Sequence, residues 1–241
     1  MCGRYALYDA ISRLREQFGC DIDSLVRNLP PRYNAAPTQR LPVIRQLASG
    51  ERVAHLLRWG LIPSWAKDET IGARLINARC ETLAEKASFR NAFKSRRCLV
   101  PASGFYEWQK VAGGKQPYFI RPANDRLFAF AGLWERWSKP DGETLDTFAI
   151  ITTEANDAMG ELHERMPVIV PEEDYDLWLS KETHPELVRR LLVPYESALV
   201  RMQAVTKRVG NVRNEGPELV APLEAPSDSA LPIRHHRDDE A

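Results

Sequence analysis

Eight short apolar runs, rich in β-branched and aromatic residues and punctuated by Gly, Pro, Asp and Asn, set the strongest limit on how this 241-residue chain can fold. They are "LPVIRQL", "RVAHLLRWGLIP", "RRCLVPASGFYEW", "QPYFIRPA", "RLFAFAGLWERW", "TFAIITTEA", "MPVIVP" and "ALVRMQAV". The first two flank Gly50 and read as a hairpin. Helical spacing is scarcer. "DAISRLREQF" places Ile11, Leu14 and Phe18 on one face behind Asp9 as N-cap, and "ETLAEKASFRNAF", "EEDYDLWLS" and "HPELVRRLL" fit short helices. Many strands with few helices predict an α+β single domain, with a largely antiparallel, β-barrel-like core and short peripheral helices.

No repeat and no interior linker divides the chain, so one domain is expected over residues 1–223. Residues 224–241 are short of core formers and read as a disordered C-terminal tail, with His235 and His236 solvated rather than metal-bound. A core of this size needs neither disulfide nor metal. Cys2, Cys20, Cys80 and Cys98 form no CxxC pair and have no neighbouring His, so no metal or cofactor is expected and a reducing cytoplasm fits. No apolar stretch is long enough to span a bilayer, and nothing demands more than a monomer. Formal net charge is zero, yet residues 1–120 hold 19 Lys and Arg against 10 Asp and Glu, while residues 121–241 hold 14 against 23. That asymmetry permits a local basic face without a basic whole.

The chemistry begins at "MCGRY". Initiator Met is generally removed before a small residue, which would leave Cys2 with a free amine and a thiol on adjacent carbons. An α-amine titrates near about 7.8, far below a lysine, so part of it is neutral at cellular pH. A thiol near about 8.5 supplies some thiolate. Such an aminothiol condenses with an aldehyde to an imine, and sulfur then closes a five-membered thiazolidine. Facing a peptide carbonyl, the same terminus could act as an N-terminal nucleophile.

Further stretches offer partners. "PRYNAAPTQ" presents Asn34 among turn formers, and "WGLIPSWAK" puts Trp65 after a Pro-Ser turn, where an exposed ring can stack on a base. "LINARCET" alternates Asn77, Arg79 and Glu81 along one face of an extended segment. "SGFYEW" sets Glu107 among aromatics, where desolvation raises a carboxyl toward the range useful for proton transfer. In "GELHERMPVIV", His163 and Arg165 lead into a buried-looking strand, and His163 completes a set of acid, base and nucleophile.

In order along the chain, "MCGRY", "RYNAAPTQ", "WGLIPSW", "INARCET", "GFYEW", "HERMP" and "VGNVRNEGPEL" resemble the SRAP family, the SOS-response-associated peptidase or abasic-site-processing proteins. The resemblance implies a barrel-like core with a groove for single-stranded DNA, and a thiazolidine-type link between the terminal Cys and an abasic-site aldehyde. Cys2 would be the crosslinking nucleophile, Asn77 would hold the terminus and the sugar, and Glu107 would be the general acid/base. His163 would assist opening of the deoxyribose ring, Arg4 and Arg79 would contact flanking phosphates, and Trp65 would sit in a strand-displacing loop. "PSWAK" has one Trp where some relatives have two adjacent aromatics. Two other readings stay open: a thiol peptidase using Cys2, which includes removal of its own Met1, and a noncatalytic single-stranded DNA-binding module.

Overall fold

The computed structural model describes residues 2–124, 126–139 and 141–223, so the expected tail and its two histidines lie outside the described residues. Among the described residues there are thirteen strands. They are β1 (Tyr5–Leu7), β2 (Cys20–Ile22), β3 (Arg32–Ala35), β4 (Arg40–Gln46), β5 (Arg52–Trp59), β6 (Asn77–Arg79) and β7 (Arg97–Ala102). Then come β8 (Gly104–Val111), β9 (Gly114–Pro122), β10 (Phe128–Ser138), β11 (Thr144–Glu154), β12 (Arg165–Pro167) and β13 (Val200–Ala204). The longest α-helix, α1 (Ile11–Phe18), has eight residues.

Strands β5, β4, β7, β10 and β11 run antiparallel in that order, and β11 returns to β5 through a parallel pairing of Thr147 with Arg58 and Phe148 with Trp59. The result is a closed five-stranded barrel. Closure removes the exposed edges that an open sheet would present. A second sheet, ordered β13-β9-β8-β1-β3, packs beside it. Leu41, Val43, Ile44, Leu99, Phe130, Leu133, Phe148 and Ile150 fill a shared core that also takes in Cys2 and Tyr5. The α+β, barrel-centred architecture expected from the strand pattern is the one observed.

Local details depart from the sequence reading for identifiable reasons. "RRCLVPASGFYEW" is not one strand: the chain breaks at Ser103, leaving the barrel as β7 and entering the second sheet as β8. The Ser103 amide donates to Ala6 O at 2.8 Å and its hydroxyl to Asp9 Oδ2 at 2.6 Å. Asp9 therefore bonds Ser103 and pairs with Arg13 of α1 at 3.4 Å without capping the helix, whose N-cap is Ala10 without a side-chain bond. The extended "LINARCET" stops at Arg79, and a 3-10 turn over Cys80–Thr82 swings Glu81 off the face it was expected to share with Asn77 and Arg79. Helix in "ETLAEKASFRNAF" is confined to that turn and to Arg90–Ser95.

The segment after β5 is fixed by close backbone approach. Gly60 has φ +120° and a Cβ there would lie 2.6 Å from Gly72 O. Ile62 N–H donates to Thr147 Oγ1 at 2.9 Å, Trp137 Nε1–H donates to Ala66 O at 2.8 Å, and Ile62, Trp137 and Leu145 form a small core of their own. Trp65 projects from this anchored turn. Gly60→Ala is expected to cost about 2 kcal/mol or more, since strain at positive φ is added to a backbone clash. Gly50→Ala, where φ is +91° but the space is open, should cost only about 1 kcal/mol. Urea unfolding midpoints of the two variants check the difference.

Candidate active site

β1 is the element that delivers the N-terminus. Its antiparallel register on β8 pairs Tyr5 with Phe105, and the Tyr106 amide donates to Arg4 O at 3.0 Å. Continued by two residues, that register sets Glu107 beside the Cys2–Gly3 segment. From the other side β6, paired in parallel with β11 through Asn77 and Ile150, brings Asn77 to the same place. Asn77 Nδ2 donates to Cys2 O at 2.9 Å across 75 residues of sequence. Its Oδ1 is buried without a hydrogen-bond partner among the described residues, an acceptor aimed at whatever occupies the site.

The two reactive groups lie out of water: Cys2 is 0 % and Glu107 3 % exposed. Burial pushes the Cys2 thiol well above its ordinary range, the nearby Glu107 charge adds to this, and the Arg4 backbone N–H opposes it. This shift favours the protonated thiol, the opposite direction from a readily available thiolate. Burial also raises the Glu107 carboxyl, with His163 and the Trp108 amide pulling the other way. This is the direction expected for a carboxyl set among aromatics.

His163 sits in the turn before β12. Its amide donates to Met159 O at 2.9 Å, and its ring Nδ1 accepts from Arg165 N–H at 3.0 Å. Gln109 of β8 reaches the same turn through Glu161 O at 3.4 Å. Cys2, Asn77, Glu107 and His163 thus converge from β1, β6, β8 and the turn ahead of β12. A cleft of about 710 Å³ lined by Gln17, Arg126, Tyr175 and Tyr195 shares none of these residues. Among the described residues no group of three or more His, Cys, Asp or Glu is placed to hold a metal, and no helix is long and apolar enough to cross a membrane.

The residues expected at DNA divide in two. Arg79 and Trp65 are exposed, the latter by 56 %. Ile62, three residues before Trp65, is held at Thr147, about 10 Å along β11 from the level of Asn77, three residues of extended chain away. Asn34, by contrast, is fully buried. Its Nδ2 donates to Val209 O, Asn211 O and Asn214 O at 3.2, 3.0 and 2.9 Å. Direct contact with a ligand is thereby replaced by an anchoring role, because several backbone carbonyls from a late segment converge on its amide. Arg4 is tied into the same hub, donating from Nη1 to Asn34 Oδ1 at 2.7 Å and to Val209 O at 2.8 Å, with its guanidinium 5.9 Å from the Trp108 ring. The sequence reading assigned no role to the ion pair of Glu81 with Arg165; its only linear trace is that each stands a few residues past a site residue.

With this geometry in place, the comparisons decide the family. The model for SRAP, SOS response associated peptidase, matches residues 1–212. The chain belongs to the SRAP family. Its relatives include the abasic site processing protein YoqW of Bacillus subtilis, 44% identical over 222 residues that cover 91% of this chain and 99% of that protein. The abasic site processing protein HMCES of Gallus gallus is 34% identical over 93% of this chain and 78% of its own length. A crystal structure of a protein from Bacteroides thetaiotaomicron superposes with a TM-score of 0.84 at 26% identity, over 92% of this chain and all of that one. The SRAP fold is thus shared across its solved neighbours.

The raised Glu107 carboxyl has a consequence for stability. A carboxyl whose folded-state pKa lies above its unfolded value favours folding below the unfolded pKa and loses that contribution as pH rises through the folded one. Glu107→Gln carries no such dependence. Its urea midpoint should gain on that of the unsubstituted protein between about pH 4 and pH 8. A constant offset across that window would contradict a buried, raised carboxyl.

Proposed function

We propose that this SRAP protein processes abasic sites in single-stranded DNA by forming a thiazolidine through Cys2 once Met1 is removed. The observation that carries the reading is the convergence of Asn77 on the Cys2 carbonyl and of the Glu107 charge on the Cys2 thiol, in a family whose curated relatives are named abasic site processing proteins.

The chemistry balances with the groups present. The Cys2 amine adds to the aldehyde carbon of the opened deoxyribose, giving a carbinolamine. Protonated Glu107 donates to the carbinolamine hydroxyl, which leaves as water, and an iminium forms beside the Glu107 carboxylate. The Cys2 sulfur then bonds to the iminium carbon while its proton passes to that carboxylate, regenerating the acid and leaving a neutral ring N–H. A buried, protonated thiol suits this order, since the sulfur acts second and gives up its proton within the site. The same property weighs against a thiol peptidase, which attacks as a preformed thiolate.

Asn77 holds the Cys2 carbonyl and offers its unpartnered Oδ1 to the amine or to a sugar hydroxyl. His163, an acceptor at Nδ1, presents Nε2–H to the sugar ring oxygen during opening. Arg79 contacts phosphate, and Trp65 stacks on a base or breaks stacking at a strand junction. Arg4, through Asn34, organises the surface on which the strand lies. Charge contacts of this kind serve any sequence, as recognition of a missing base demands.

Incubation with an oligonucleotide carrying one abasic site should give a denaturation-resistant adduct on a gel, with intact mass reporting loss of Met1. Cys2→Ala abolishes the adduct, and Glu107→Gln slows its formation by about 100-fold. N-terminal acetylation also abolishes it, whereas a thiol peptidase would be spared. No adduct with the unsubstituted protein overturns the proposal. Separately, Trp65→Ala should weaken binding of undamaged single strands by about tenfold, measured by fluorescence anisotropy, with unchanged thermal stability.

A further inference from the structure

Glu81 lies on the 3-10 turn directly after β6, four residues beyond Asn77, and faces Arg165, two residues beyond His163. Arg165 Nη1 donates to Glu81 Oε1 at 2.5 Å and Nη2 to Glu81 Oε2 at 3.0 Å, while Nη2 also reaches Thr152 O of β11 at 2.7 Å. This two-pronged contact is directional, unlike a lysine ion pair. The Arg165 side chain is only 12 % exposed, and its backbone N–H is the donor to His163 Nδ1. That bond decides the ring: with Nδ1 accepting, the neutral imidazole carries its hydrogen on Nε2.

We infer that Glu81 is a positioning residue, which through Arg165 locks the turn bearing His163 onto the strand bearing Asn77 and so fixes the His163 tautomer and reach. The inference rests on the proposed function and deepens it. Stability alone is a poor reason for the pair, because Glu81 is 50 % exposed and half-exposed ion pairs add little. Geometry is what the pair supplies: three bonds from one guanidinium to two elements, immediately behind the imidazole. Arg165 holds the Glu81 carboxyl down to about 2, so the clamp is ionised wherever the protein is folded and active.

Removing the Glu81 charge leaves the Arg165 guanidinium uncompensated close to the site. The titratable groups that meet it are Cys80 on the turn and, through the Arg165 backbone N–H, His163, which in turn acts on Glu107. An added positive charge behind the site disfavours further protonation around it, so the pH dependence moves toward acid.

The test is the single-turnover rate of adduct formation by the full-length chain lacking Met1, on an oligonucleotide with one abasic site, from about pH 5 to pH 9. Glu81→Gln should slow the reaction about tenfold and shift the acid limb to lower pH, with affinity for undamaged DNA kept within about twofold. Glu81→Asp, which retains the charge, should recover part of the rate and the original profile. The inference is overturned if Glu81→Gln keeps the wild-type rate and profile, or if rate and melting temperature fall together with an unshifted profile that Glu81→Asp does not rescue. Absence of adduct with the unsubstituted protein instead overturns the reading of Cys2, and this inference with it.

Discussion

Closure of the barrel hangs on the parallel pairing of Arg58 and Trp59 with Thr147 and Phe148, and the site hangs on that closure. Once β5 is seated against β11, the same edge of β11 continues into β6, while its far end takes up β12. Asn77 and the His163 turn are therefore borne by one long strand. Trp59 makes the seam rigid: its ring stacks on Phe148 at 6.2 Å, packs against Tyr5 at 5.2 Å, and its Nε1–H donates to Ile76 O at 2.9 Å. The aromatic contact with Tyr5 carries that rigidity to the strand that presents Cys2.

Burial governs the electrostatics at that seam. Water is excluded from Cys2 and Glu107, so burial raises both the thiol and the carboxyl, and the Glu107 charge adds to the rise at Cys2. In the proposed reaction the iminium would form beside Glu107, where a dry environment makes its stabilisation effective.

Most strands were legible because their signal is local: apolar residues of β character between turn formers, as in β4, β5, β9, β10 and β11. What could not be read was set by distant partners. Nothing local marks the switch of sheets at Ser103, since extended apolar sequence lies on both sides and the break is made by Ala6 and Asp9. Asn34 looked like a surface residue because polar turn sequence usually is, and only three carbonyls some 175 to 180 positions later make its burial possible. The identities of Cys2, Asn77, Glu107 and His163 were legible as chemical types. Their convergence depended on pairings with β8 and β11 that no linear spacing encodes.

The hub around Asn34 also orders events in time. Arg4 and Asn34 belong to the first segment a ribosome releases, yet their bonds run to residues 209 to 214. A nascent chain exposes its N-terminal cysteine long before those carbonyls exist. Until they are made, Arg4 and Asn34 lack the carbonyls that fix them, and the strand that carries Cys2 is without that anchor. The frame around the N-terminal segment is thereby completed only after residues 209 to 214 have been made, so its first strand is set in place by some of the last residues of the domain.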